Sequence, residues 1–207
     1  MKYLKFLGLA FVAILAVTAL AGTASASAKA ILCSTNTNPC TGTKYPSGTK
    51  VTAQLVSGTG ATLTMGIYNI VCKKSMVSGV TTNAEAHGEI TGLTFSECSL
   101  GTTPCSATAV NLPYTAEAVA TAGGNGDLTI TSKVGGGNPG ATIVCGTTIN
   151  CTFISSSITF GVTGGNPGIL AAKEAELSRS GGLCPSTAKW DAEYEITAPK
   201  PLFLETS

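Results

Sequence analysis

The side chains that could do chemistry in this chain are few and widely spaced. Its one histidine, His87, has no Gly-x-Ser-x-Gly motif elsewhere in the chain to supply a nucleophile that it could activate. Glu193 and Glu195 would share one face of a strand, and a pair of carboxylates is what glycoside hydrolysis requires. Such a pair on an exposed strand is more typical of a solvated surface, so we expect no catalytic residues and no enzymatic activity.

Cysteines form the second chemically distinctive set. Their number is eight, and an even number behind a predicted export signal favours four disulfide bonds in an oxidising compartment. The spacings do not follow the Cys-x-x-Cys pattern of zinc sites, so we expect no metal and no other cofactor. The predicted disulfide cysteines are Cys33, Cys40, Cys72, Cys98, Cys105, Cys145, Cys151 and Cys184.

The connectivity of these cysteines stays open, because eight of them allow many pairings. A short hairpin or loop can bring neighbouring cysteines within the roughly 4.4–6.8 Å between Cα atoms that a disulfide allows. If the three pairs of cysteines that are close in sequence formed bonds, Cys72 would remain to bond Cys184, a long bridge that would stabilise the fold most. The three close pairs, each of which brackets a turn-rich segment, are Cys33 with Cys40, Cys98 with Cys105, and Cys145 with Cys151.

The N-terminus has the three regions of a secretory signal peptide in the expected order. Lys2 and Lys5 supply a short basic region, residues 6–21 are almost entirely apolar, and small residues follow. Signal peptidase requires small side chains before the cut, so we predict cleavage after Ala26, with Ala28 as the second choice. The apolar run is shorter than the roughly 20 residues of a spanning helix, and no membrane insertion is expected after cleavage.

The low charge of the chain limits the class of partner. Removing Lys2 and Lys5 with the signal leaves ten basic residues against eleven acidic ones, and only 11% of the whole chain is charged. Such a surface offers little attraction for phosphate backbones or anionic membranes, so no nucleic acid partner is expected. We expect an extracellular ligand instead, either a glycan or a protein.

Beyond the signal, the pattern predicts a series of short strands. Thr, Val, Ile and Gly are frequent, and alternating runs recur between clusters of Gly, Pro, Asn and Ser, as in antiparallel all-β domains. Residues 190–196 alternate most cleanly, which places Trp190 in the core rather than on a sugar-binding surface. The predicted strands are 50–56, 61–74 with a bend near Gly66, 88–98, 105–112, 114–121, 127–133, 141–145, 151–160, 190–197 and 202–205.

These elements predict one β domain over residues 48–207, preceded by the signal peptide 1–26 and a polar N-terminal segment 27–47. The predicted fold is all-β, an antiparallel β-sandwich of immunoglobulin-like or jelly-roll-like type braced by disulfides, with a barrel as the alternative. Segment 169–179 is ambiguous, because helix-forming residues there are flanked by turn signals. A strand is favoured, because the rest of the domain is sheet and needs partners.

Four short motifs stand out along the chain. They are Thr94-Phe95-Ser96-Glu97-Cys98, Asn111-Leu112-Pro113-Tyr114, Cys184-Pro185 and Trp190-Asp191-Ala192-Glu193-Tyr194. Their arrangement resembles a group of secreted, β-rich actinobacterial proteins from soil organisms that carry a signal peptide and multiple disulfides. The resemblance implies a β-sandwich and export, and it implies no activity and no functional residues.

Together these observations favour a secreted, non-catalytic extracellular protein, either a binding module or an envelope or matrix component. Association with the cell surface is compatible with this interpretation. One alternative is a secreted inhibitor or toxin-like effector that uses a disulfide-braced loop, such as the one between Cys98 and Cys105. A hydrolase that uses a pair of carboxylates is the least favoured class.

Overall fold

A computed structural model describes residues 29–83, 85–133, 135–180 and 184–206. The predicted signal peptide and its cleavage site after Ala26 lie outside the described residues. Within them, the regular secondary structure is β-strand apart from a short 3-10 turn at Ala122–Gly124. No helix in this described part is long and apolar enough to cross a membrane.

The strands form where buried and exposed side chains alternate. In β11, for example, Ile158, Phe160 and Val162 are buried between exposed neighbours, which is the period of two that a half-buried strand requires. In chain order the strands are β1 (Ala30–Cys33), β2 (Lys50–Leu55), β3 (Ala61–Met65), β4 (Tyr68–Thr81), β5 (His87–Leu100), β6 (Thr103–Val110), β7 (Tyr114–Ala120), β8 (Gly126–Ser132), β9 (Gly140–Cys145), β10 (Ile149–Ile154), β11 (Ser157–Thr163), β12 (Ile169–Arg179), β13 (Thr187–Ala198) and β14 (Phe203–Thr206).

Four long strands, β4, β5, β12 and β13, organise the main sheet, and every pairing in it is antiparallel. Strands β2 and β3 lie one after the other between β4 and β13, and each pairs with both. Two series of paired strands connect β5 to β12. One consists of β7, β8 and β11, and the other of β6, β9 and β10. Because β4 also pairs with β5, and β13 with β12, the sheet folds back on itself into two layers around one core.

This architecture confirms the predicted all-β, disulfide-braced sandwich. A regular barrel does not form, because the long strands change neighbours partway along their length. In β5 the change coincides with a bulge, because β5 passes from β7 to β6 between Ile90 and Thr94, where Thr91 is an extra residue opposite Ser78 and Gly79 of β4. Gly79 suits this position because a Cβ there would lie 2.6 Å from the carbonyl oxygen of Glu89 on β5.

The predicted strands are present, with differences at two places. The run 61–74 is two strands, β3 and β4, joined by a tight turn in which Gly66 has a φ of +61°. The run 151–160 is divided between β10 and β11, which lie beside the same strand, β12, but pair on their other sides with β9 and β8. Segment 169–179 is β12, so the preference for a strand over a helix there is confirmed.

The segment 27–47 contains a strand that the sequence pattern did not predict. Strand β1 pairs with β14 in a separate two-stranded ribbon, so the beginning and the end of the described chain lie side by side. Leu32 and Leu204 of this ribbon pack against the main core. On its other face, Ile31 packs with Cys33 and Cys40 in a small second cluster.

Tyr114 ties the start of β7 to the strands beside it. Its side chain is fully buried, and its hydroxyl donates a hydrogen bond to the carbonyl oxygen of Val110, four residues upstream. The backbone N–H of Gly140 in turn donates to the Tyr114 hydroxyl over 3.5 Å. Burial raises the pKa of this phenol, so the hydroxyl keeps its proton and its role as donor at neutral pH.

Tyr114→Phe is expected to lower the free energy of unfolding by about 1–3 kcal/mol, because buried backbone groups lose their partner. The midpoint of urea unfolding measures this change. Tyr68→Phe is the matched control, since Tyr68 is exposed at the start of β4, and its effect should stay within about 0.5 kcal/mol. Equal effects of the two substitutions would show that the hydroxyl of Tyr114 contributes nothing.

Candidate functional site

Four cysteines from neighbouring strands lie in one row across the sheet, here called the cysteine row. Cys72 of β4 is directly opposite Cys98 of β5. Cys98 is in turn opposite Cys105 of β6, which is opposite Cys145 of β9. Residues directly opposite one another in antiparallel strands project to the same face, so the four sulfurs form a ladder on one face of the sheet. Cys105 is half-buried and the other three are buried.

Two disulfides use the cysteine row. Cys72 bonds Cys98, with their Cα atoms 3.8 Å apart, and Cys105 bonds Cys145, with their Cα atoms 4.2 Å apart. The predicted Cys98–Cys105 bond is therefore wrong, even though these residues are opposite each other in the β5–β6 hairpin. Bonding them would leave Cys72 and Cys145 at the two ends of the row, about 14 Å apart at the usual strand spacing, which is too far for a disulfide.

The predicted bonds Cys145–Cys151 and Cys72–Cys184 are also wrong. Cys145 is opposite Ile149 in the β9–β10 hairpin, so it is out of register with Cys151. Cys151 instead bonds Cys184, which lies in the segment after β12. All eight predicted cysteines are thus paired in four disulfides, but two of the three short pairings expected from sequence spacing do not occur.

The one short pairing that is confirmed is Cys33–Cys40, which closes an exposed loop after β1. The hairpin between Cys98 and Cys105 is not closed by a bond of its own. Instead, Cys98 is bonded to β4 and Cys105 to β9, so each strand of the hairpin is linked to its outer neighbour. The disulfide-closed loop that an inhibitor or effector would present at Cys98–Cys105 is therefore absent.

The histidine and the carboxylates singled out in the sequence do not meet in a cleft. His87 is half-buried at the start of β5. Glu193 is exposed on β13, and Glu195 on the same strand accepts a hydrogen bond of 2.6 Å from Nε2 of Gln54. Across the described ranges, no three His, Cys, Asp or Glu side chains converge in a way that could hold a metal ion. Glu193 and Glu195 lie on the outer face of β13, whereas His87 lines one of the interior cavities.

Trp190 is 7% exposed and belongs to the core, as the alternation of β13 predicts. Its ring meets Phe160 and Phe95 edge to face, with centroids 5.6 and 6.4 Å away. Edge-to-face contacts of this kind stabilise a core beyond the area they bury. The only tryptophan of the chain is therefore not available as a stacking surface for a sugar.

Cavities inside the sandwich measure about 50, 80 and 50 Å³. Their walls are almost entirely apolar, and Leu32 and Leu204 of the β1–β14 ribbon help to close the largest of them. A dry cavity of roughly 150 Å³ admits benzene, and sites for small organic ligands usually measure roughly 300–1,000 Å³. We interpret these three cavities as gaps in core packing.

One buried carboxylate was not singled out by sequence reasoning. Glu205 of β14 is only 2% exposed and lies opposite Ile31 of β1, under the face of the ribbon that carries the Cys33–Cys40 loop. Its Oε1 has no hydrogen-bond partner among the described residues. Burial raises the pKa of this carboxyl, because the charged form loses its hydration. Its place in the apolar run after Leu202 is the one sequence signal that could have revealed it.

Glu205→Gln is expected to stabilise the protein at neutral pH and to flatten its pH dependence. Since the folded-state pKa is raised, the native protein binds more protons than the unfolded chain between the unfolded and the folded pKa. The contribution of Glu205 to stability is then fully present below the unfolded pKa, near 4.5, and is lost as pH rises through the folded pKa, at about 1.4 kcal/mol for each pH unit that separates the two pKa values. Urea unfolding at several pH values measures this.

The exposed Glu193→Gln substitution is the control for this experiment, since it removes an acid of the same type from the surface. Because Glu193 is exposed, this change should alter the free energy of unfolding at neutral pH by no more than about 0.5 kcal/mol. If Glu205→Gln destabilises the protein at neutral pH, the carboxylate is charged and paired in the native state, and the conclusion that burial raises the pKa of Glu205 is wrong.

No known protein family, curated protein or solved structure matches this chain.

Proposed function

We propose that this is an exported, non-catalytic protein that acts outside the cytoplasm as a binding module or as a component of the envelope or matrix. Its four disulfides are the observation that carries the proposal. Such bonds form and persist in oxidising compartments. The N-terminal residues with the pattern of a signal peptide supply the route of export.

The placement of polar side chains supports a binding role over catalysis. Most of the described interior is apolar, and the acidic groups that could act as a pair lie on an outer face, as Glu193 and Glu195 do. Catalysis by such groups requires them to converge on one substrate atom in a cleft. Kinship with the secreted β-rich proteins of soil actinobacteria remains part of the proposal, and it rests on the four motifs alone.

The outer face over β5, β6, β9 and β10 is the surface we favour for a ligand. Thr94, Thr108, Thr142 and Thr152 lie opposite one another across these strands, and the hydroxyls of the last two are 2.8 Å apart. Hydroxyl groups on a face with little charge suit hydrogen bonding to a neutral glycan or a polar protein surface. They offer no selective attraction to a charged polymer.

Export is tested on protein secreted from a host with a general secretory pathway. N-terminal sequencing is expected to begin at Ser27, and the intact mass is expected to show all eight thiols oxidised. An intact Met1 together with free thiols would overturn the proposal, because the signal peptide would not have been cleaved and the cysteines would not have met an oxidising compartment.

Binding is tested on arrays of neutral glycans and of extracellular peptides, with release of reducing sugar monitored in parallel. We expect retention without hydrolysis, and loss of retention in Thr108→Asp/Thr142→Asp. The matched control is Thr129→Asp/Thr159→Asp, which makes the same change on the outer face of β8 and β11. Hydrolysis of any sugar by the unmodified protein would contradict a non-catalytic role.

A secreted inhibitor or effector is the second candidate, and it is favoured by the exposed loop that the Cys33–Cys40 bond closes. A loop constrained in this way loses little entropy when it binds a partner. A panel of secreted proteases separates the candidates. Inhibition that disappears when Asn36 and Thr37 are replaced by alanine would favour the inhibitor, and no inhibition would remove it.

A further inference from the structure

The cysteine row contains a third adjacent pair that is not bonded. Cys98 and Cys105 are directly opposite across the β5–β6 hairpin, yet each is bonded to the strand on its other side. Each sulfur in the middle of the row therefore has two cysteine neighbours in register, one bonded and one not. The other disulfides lack this arrangement, since Cys33 is opposite Phe203 and Cys151 is opposite Ile143.

We propose that the cysteine row is a site of thiol–disulfide exchange, at which Cys98 and Cys105 form an alternative bond after an external dithiol reduces the Cys105–Cys145 bond. Cys105 is the accessible point of the row, because it is half-buried while the other three cysteines are buried. An extracellular dithiol, small or carried by an oxidoreductase, is the chemical class of the reactant.

The exchange balances in two steps. First, the dithiol is oxidised to its own disulfide while Cys105 and Cys145 become thiols. The thiolate of Cys105 then attacks Sγ of Cys98, the Cys98–Cys105 bond forms, and the Cys72–Cys98 bond breaks. Cys72 leaves as a thiolate and takes up the proton that Cys105 lost, so the second step changes neither the number of disulfides nor that of thiols.

The exchange moves the covalent brace within the sheet. Before it, bonds join β4 to β5 and β6 to β9. After it, one bond joins β5 to β6, which the hairpin turn already connects, and the two flanking seams are held by hydrogen bonds alone. Reduction at the cysteine row therefore removes the covalent bonds between β4 and β5 and between β6 and β9, while the β5–β6 hairpin gains one.

The Cys72→Ser variant tests the exchange without any reductant, because it leaves Cys98 as a thiol beside the Cys105–Cys145 bond. At about pH 8 we expect the free thiol to spread between Cys98 and Cys145 within minutes to hours, the usual time of uncatalysed rearrangement. Acid quenching, alkylation and peptide mapping locate the thiol. A thiol found on Cys98 alone would overturn the proposal.

The Cys33→Ser variant is the matched control. It frees Cys40, which has no second cysteine in register, and its thiol is expected to remain on Cys40 under the same conditions. Migration of this thiol into other bonds would show that exchange here is nonspecific and does not depend on the row.

A second measurement uses the unmodified protein, in case the serine variant does not fold. A limiting amount of dithiothreitol followed by acid quenching is expected to yield molecules with thiols at Cys72 and Cys145 and a Cys98–Cys105 bond. Products with thiols only at Cys105 and Cys145, or only at Cys72 and Cys98, would contradict the exchange. Either result leaves the tests of export and binding untouched.

Discussion

Replacing Cys105 and Cys145 by alanine is expected to lower the free energy of unfolding by about 4 kcal/mol. The bond joins residues 40 apart in sequence, and a disulfide stabilises mainly by restricting the unfolded chain, more so for longer loops. The same substitution removes two sulfurs from the row, so no exchange can mask the loss. The midpoint and slope of urea unfolding measure the change.

The Cys33→Ala/Cys40→Ala variant is the control, because its bond closes a loop with a sequence separation of only 7. The same argument gives a loss of about 2 kcal/mol for it. A larger loss at Cys33–Cys40 than at Cys105–Cys145 would mean that native packing around the ribbon, and not the length of the closed loop, dominates. A change in the slope of unfolding would indicate an altered denatured state.

Trp190→Ala is expected to lower the free energy of unfolding by about 3–5 kcal/mol, which is a large part of the stability of an ordinary domain. The ring is packed edge to face against Phe95 and Phe160, and it also lines two of the interior cavities. Removing it would join those cavities and leave the surrounding side chains without contacts. Thermal and urea unfolding both report the loss.

Trp190→Phe keeps most of the buried area and should cost clearly less than the alanine variant, which separates packing from other effects. Glycan-array binding by both variants, measured under conditions in which they remain folded, tests the alternative that Trp190 contacts a ligand. If Trp190→Ala abolishes glycan binding at little cost in stability, the tryptophan is a ligand contact, and its assignment to the core is wrong.

The alternation of single strands was sufficient to predict much of the core. Trp190, Tyr194 and Ile196 are buried on β13 because apolar residues at every second position must face the same side of a strand. The same rule predicted a single bent strand over residues 61–74, because apolar residues continue on both sides of Gly66. The chain reverses direction there, between β3 and β4.

The disulfide pairing could not be predicted, because it depends on which strands become neighbours. Cys98 and Cys105 are close in sequence and opposite in register, so every local argument favours their bond. The choice is made by Cys72 and Cys145, which reach the two ends of the row only when β4 and β9 pair with the hairpin. Glu205 is a similar case, since its burial requires the ribbon with β1 to form.

The amino-acid sequence by itself determined the all-β class, the positions of most strands, the buried side of β13 and the use of all eight cysteines in disulfides. These properties follow from the identity and period of neighbouring residues. Only the tertiary structure decided the pairing of the sulfurs, the joining of β1 to β14 and the scattering of the acidic groups. Each of these depends on the register between segments far apart in the chain, which the pattern of neighbouring residues does not specify.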